Sequence, residues 1–140
     1  LKALGTLALA LMPVTAVAAT SALNGPGNWV RLFNRDMEIL IGRTIHVDAA
    51  SVKAGGLGRT FREIDVLVKA RGRLPRGTTQ YMLRSIDCGT GRVRLEQWQL
   101  FAPDGSSLGG STAPGAAQRV RWNKEDGMVI RYVCQGILPR

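Results

Sequence analysis

Few residues of this chain have the type and spacing for chemistry. His46 is the single histidine, and it alternates with Asp48 along Thr44-Ile45-His46-Val47-Asp48, so both side chains fall on one strand face. A general base needs a nucleophile or water held beside it. The chain carries no Gly-x-Ser-x-Gly elbow, no histidines at metal-ligand spacing and no paired-carboxylate motif. His46 therefore reads as structural or simply exposed, and an enzyme is not expected. No catalytic residue, metal ligand or cofactor is assigned. Gly55-Gly56-Leu57-Gly58 has the composition of a phosphate loop but precedes a strand, so it lacks the helix dipole that cradles phosphate and reads as a turn.

The arginines are the more informative set. Lys and Arg number 19 against 10 Asp and Glu, a formal charge of +9, and most of the cations are arginine. The guanidinium is a planar fork of donors suited to carboxylate, sulfate or phosphate. An arginine-rich codon usage would give the same composition. Arg71, Arg73 and Arg76 crowd one turn-like stretch, RGRLPRG, while Arg92 and Arg94 alternate on a strand with Trp98 on the same nominal face. Together these six form a candidate surface for an anionic ligand, with Trp98 supplying a flat apolar contact. The plainer reading is a solvated face in which Arg94 and Glu96 pair, an arrangement worth little.

Two cysteines, Cys88 and Cys134, are most simply one disulfide in an exported chain. Export is expected from residues 1–18: an early lysine, an apolar run from Leu7 to Met12, and Ala16-Val17-Ala18 as an A-x-A cleavage pattern. The run is too short to span a bilayer, and no cysteine follows it to take a lipid. The expected location is the periplasm or beyond it, without a lipid anchor and with no membrane span in the mature chain. The expected partner is a protein, an acidic glycan or lipopolysaccharide. Export argues against nucleic acid.

The elements that must position these residues follow from periodicity. Residues 19–28 are rich in Ser, Asn, Gly and Pro and read as a flexible linker, with one folded domain over 29–138. Trp29 to Phe33 has strand composition, Asn34-Arg35-Asp36 a turn, and Glu38 to Ile41 a short second run. Thr44 to Asp48 is a strand, followed by one helical turn capped by Asp48. Arg59 to Ala70 alternates, with Ile64, Val66 and Val68 on one face and Glu63, Asp65 and Lys69 on the other, which predicts one face on a core and one in water.

Thr79 to Asp87 and Arg92 to Phe101 form a hairpin joined at Cys88-Gly89-Thr90-Gly91, and Pro103-Asp104-Gly105 turns into a return strand near Ser106 to Leu108. At the C-terminus, Asn123 reads as an N-cap, and Val129, Ile130, Val133, Cys134 and Ile137 share a helical face until Gly136. A strand presenting Ile130, Tyr132 and Cys134 competes, since β-branched residues are dense and Gly127 weakens a helix. Helix is the favoured reading.

Ile86-Asp87-Cys88, the strand with Arg92 and Arg94, the aromatic strand through Trp98 and Phe101, the turn at Gly105, Trp122 and the terminal Val133-Cys134 together resemble the surface-adhesin protein E family. Trp29 and the segment from Ile45 to Val52 extend the resemblance over nearly all of the mature chain. The resemblance implies an α+β fold: a small antiparallel sheet, a C-terminal helix packed on it and one disulfide. It also implies a non-catalytic binding domain, the family's characterised members acting at the bacterial surface on host matrix and plasma proteins. The missing lipidation cysteine departs from a surface lipoprotein, so fold and class carry over and no binding residue does. An accessory envelope protein that docks through an exposed sheet edge is the alternative.

Overall fold

The computed structural model describes residues 23–139, so the leader read at 1–18 lies outside the described residues. Its centre is the expected hairpin, β5 (Thr79–Asp87) and β6 (Arg92–Phe101). Its turn is tightened by Asp87, whose Oδ1 accepts from the N–H groups of Gly89 and Thr90, and by Gly91 at φ 71°. In chain order the other elements are β1 (Trp29–Arg31), α1 (Arg35–Ile41), β2 (Arg43–Asp48), β3 (Lys53–Gly55), β4 (Gly58–Leu67), β7 (Ser107–Ser111), β8 (Gln118–Arg119) and α2 (Glu125–Gln135). The strands pair antiparallel in the order β1-β2-β4-β5-β6-β7, with β3 beside the start of β4 and β8 beside the start of β6. This is an α+β fold, with a C-terminal helix on an eight-stranded antiparallel sheet.

Arg35–Ile41 form a helix, α1, capped by Asn34 and Gly42, where a turn and a short run are expected from composition. Asn34 Oδ1 accepts from Met37 N, Asp36 and Glu38 lie in the first turn, and Gly42 takes the left-handed cap at φ 80°. Cap, dipole and stop all agree, and they outweigh the β-branched Ile39 and Ile41. After β2 the chain makes a 3-10 turn, Ala49–Ser51, with Asp48 accepting from Ala50 N as the sequence predicts. β3 then pairs back onto β4 through the glycine turn at Gly55 to Gly58.

The helical reading of the C-terminal element holds, with shifted ends. Lys124, not Asn123, occupies the N-cap position, and it makes no side-chain capping bond. Gly136 at φ 70° ends the helix, so Ile137 lies beyond it, 52% exposed. Gly127 is needed where α2 meets the preceding chain, because a Cβ there would sit 2.4 Å from Trp122 Cα. Val129, Ile130 and Val133 bury against Ile45, Val47, Phe61, Ile86 and Val93 on the sheet face beneath α2. Each such side chain contributes about 1.5–3 kcal/mol of transfer free energy. The disulfide Cys88–Cys134 joins the hairpin turn to the last turn of α2.

Along β4, burial runs against hydropathy. Phe61, which pairs with Arg84, lies in the core under α2, so the residues of its parity, Glu63 and Asp65, share that covered face. Glu63 is 2% exposed. Ile64 and Val66 take the other face, turned away from α2, on which no helix packs among the described residues, and the strand ends at Leu67 before Val68. What reverses the expectation is two arginines that reach this face: Arg84 bonds Glu63 at 2.7 Å and Arg43 approaches Asp65 at 3.1 Å.

Across the helix-free face runs the segment from Leu23 to Asn28. Its composition predicts a flexible linker, yet Leu23 is buried and the carbonyls of Leu23, Gly25 and Pro26 accept hydrogen bonds from Arg62. Asn28 N donates to Asp48 Oδ1 at 2.8 Å. The fold therefore takes in residues ahead of Trp29.

Candidate anion-binding surface

The ionised side chains divide into two populations. Seven of the 10 acids lie against an arginine: Glu38 against Arg31, Asp65 and Glu125 against Arg43, Asp48 against Arg62, Glu63 and Asp126 against Arg84, and Glu96 against Arg94. Asp87 and Asp104 hold their own turns. Five arginines thus serve seven acids, Arg43 and Arg84 taking two each. The cations of the loop between β4 and β5, Lys69, Arg71, Arg73 and Arg76, are exposed and make no ion pair among the described residues; Arg35, Lys53, Arg59, Arg92, Arg119, Arg121, Lys124 and Arg131 share that state, and what sets the loop apart is that its four cations fall between positions 69 and 76.

This loop is held by backbone, not by its charges. Arg71 and Leu74 exchange backbone bonds at 2.8 and 3.0 Å, Gly77 N donates to Leu67 O at 2.9 Å, and Thr78 caps Pro75 O with both N–H and hydroxyl. A rigid loop that spends no guanidinium on itself keeps each one free for a ligand.

The six residues of the sequence-based surface do not come together. Arg71, Arg73 and Arg76 adjoin Thr79, which pairs with Phe101, whereas Arg92 pairs with Asp87 at the far end of the hairpin. At the rise of a strand those ends stand roughly 25 Å apart. Trp98 is also separated from Arg92 and Arg94. The register steps from Leu83 opposite Gln97 to Arg84 opposite Leu95, leaving Glu96 as the extra residue of a bulge. Parity flips there: Arg94 shares the helix-free face with Ser85, and Trp98 shares the face of Met82 under α2. Arg94 is also occupied, its Nε donating to Glu96 Oε1 at 2.8 Å, as the plainer reading of that face expects. Glu96 Oε1 accepts from Ser85 Oγ as well. Burial works to raise the Glu96 carboxyl, but the Arg94 and Ser85 hydrogen bonds outweigh it and hold its pKa below the ordinary value.

His46 pairs across the strands with Arg31, which bonds Glu38 of α1. Its pKa is lowered, first by burial and then by the Arg31 charge, so it is neutral near pH 7. Asp48, its neighbour in parity, serves Arg62, Asn28 and Ala50. No group of three or more His, Cys, Asp or Glu side chains among the described residues is placed to hold a metal ion, and none of the described helices is long and apolar enough to cross a membrane.

Comparison of the chain with protein-family models, with curated proteins and with solved structures finds no match to any of them.

The structure also shows a pair of features that the sequence reading passes over. Tyr81 and Phe101 meet edge to face with ring centroids 5.7 Å apart on the helix-free face. Beside them lies a hollow of about 290 Å³ bordered by Asn24, Gly77, Thr79 and Pro103. A larger hollow of about 580 Å³ lies along the same segment, reaching Lys53, Arg62, Leu83 and Gln97. The clue in the sequence is the alternation of Thr79, Tyr81 and Leu83 opposite Gln97, Gln99 and Phe101, readable only once the bulge sets the register.

Proposed function

We propose that this chain is a non-catalytic, exported binding domain that engages acidic macromolecules through the cationic loop between β4 and β5. The observation that carries this reading is the clustering of charge: Lys69, Arg71, Arg73 and Arg76 fall between positions 69 and 76 of one backbone-held loop, all exposed and with no acid paired to them among the described residues. A disulfide and a leader-like N-terminus support an envelope or extracellular location. The resemblance to the surface-adhesin protein E family, carried by Ile86-Asp87-Cys88 and Val133-Cys134, supports a role among host matrix or plasma proteins.

The full chain should be retained on immobilised heparin at low salt and released as salt rises, because exposed charges are screened over about 10 Å at 0.1 M. Replacing Arg71, Arg73 and Arg76 together by serine should weaken binding roughly tenfold, as expected for three exposed contacts of about 0.5 kcal/mol each. Absence of retention at any salt removes this reading.

A second reading rests on β7. It is the last strand of the sheet order, and its Ser107 to Gly110 run is exposed. A free strand edge accepts another chain by main-chain pairing. As an accessory envelope protein the chain would then be recovered with a partner from its own cell's envelope, and recovery of no partner would remove this reading.

A further inference from the structure

We infer that the acidic ligand is a polysaccharide bearing sulfate or uronate groups, seated on the shelf formed by Tyr81 and Phe101. This rests on the cationic-loop reading above and adds the class of ligand. Three observations converge on one end of the sheet. Tyr81 and Phe101 are diagonal neighbours near the open end of the β5–β6 hairpin, Phe101 opposite Thr79 and Tyr81 opposite Gln99, on the face turned away from α2, and both are only partly buried. Their T-shaped contact, at 81° between planes, leaves ring faces uncovered by each other. A pyranose ring presents a flat patch of C–H bonds on one side, and such a patch stacks on an aromatic face where a peptide carboxylate does not.

The neighbouring hollow, about 290 Å³, accommodates a sugar ring and is lined in part by the polar residues Asn24 and Thr79, the Thr79 hydroxyl donating to Gly77 O at 3.2 Å and keeping its lone pairs for a further donor. Ring hydroxyls need such partners. Gly77 borders the same hollow and directly follows the exposed Arg76, so the cationic loop leads into this end of the sheet. Charge complementarity therefore selects an acidic glycan over a neutral one: the shelf takes the ring and the loop takes its anionic substituents.

Binding is measured for the full chain with two probes of similar charge, a heparin oligosaccharide and poly-glutamate. Wild type should prefer the oligosaccharide, and Tyr81→Ala should weaken that binding about tenfold, as for truncation of an aromatic contact, while changing poly-glutamate binding less than twofold. In the unaltered chain, heparin oligosaccharide should shift the ring resonances of Tyr81 and Phe101, a readout that does not depend on a variant folding. Equal loss on both probes, or unshifted rings under saturating oligosaccharide, overturns the shelf while leaving the cationic loop standing. Failure of wild type to bind either probe overturns the cationic loop, and the shelf with it.

Discussion

Arg62 shows how much one side chain can organise. Its Nε and Nη2 bond Asp48 Oδ2 at 3.0 and 2.5 Å, its remaining donors hold the carbonyls of Leu23, Gly25 and Pro26, and the Trp29 ring lies 4.9 Å from its carbon centre. Asp48 feels burial most, which would raise its carboxyl, but the bonds from Arg62, Asn28 and Ala50 prevail and hold it below the usual range. Removing one partner strands the other in a dry site. Arg62→Ala is therefore expected to cost about 3–5 kcal/mol of stability. Gly27→Ala should cost about 1–3 kcal/mol, since the added Cβ would lie 2.5 Å from both Arg62 Nη2 and Asp48 Oδ2. Urea unfolding checks both, and midpoints unchanged from wild type would show that the segment before Trp29 is not part of the cooperative fold.

At the level of elements, α2 is seated on charge as well as on apolar surface. Asp126 takes Arg84 at 2.6 Å and Glu125 lies 3.6 Å from Arg43, so both acids of the first turn reach arginines of the sheet. Asp65, under this end of the helix, is raised well above the ordinary carboxyl value, first by burial and then by the neighbouring Glu63. The folded state therefore keeps a proton that the unfolded chain releases above about pH 4. From there up to the raised folded value, stability falls as pH rises, by at most about 1.4 kcal/mol per pH unit. Glu38, Asp48 and Glu96 are lowered, so their contribution is present above about pH 4 and disappears as pH falls through their folded values. Melting temperatures of wild type and Asp65→Asn between pH 8 and pH 4.5 should converge or cross toward acid in favour of wild type. Parallel curves would mean that Asp65 is ionised in the folded state.

The same elements show what a sequence makes legible. The hairpin, the Asp48-capped turn and the helical spacing of Val129, Ile130 and Val133 can all be read directly, because each depends on local preferences that tertiary contacts reinforce. α1 was equally local, announced by Asn34 and Gly42, but its β-branched residues spoke for a strand. The face of β4 and the face of Trp98 were not local. One depends on arginines from β2 and β5 arriving beside Glu63 and Asp65, the other on a bulge that exists only in the pairing of β5 with β6.

For the molecule as a whole, stability and display of charge are kept in different places. The disulfide spans 46 residues and should contribute about 3–4 kcal/mol by restricting the unfolded chain. Native protein should show no reactive thiol, and reduction should lower the melting temperature by on the order of 10–20 °C. Two thiols labelled without denaturant or reductant would refute this. The covalent link also makes the chain a closed ring with an open arm. β6, β7, β8 and α2 lie within the ring, whereas β1 to β5, α1 and the loop bearing Arg71, Arg73 and Arg76 lie outside it. A pull between the two ends of the chain passes through the sulfur bridge and bypasses the ring. About 160 Å of contour, the extended length of 46 residues, stays locked under load. The cation-bearing arm, where a ligand would pull, is the part left to yield.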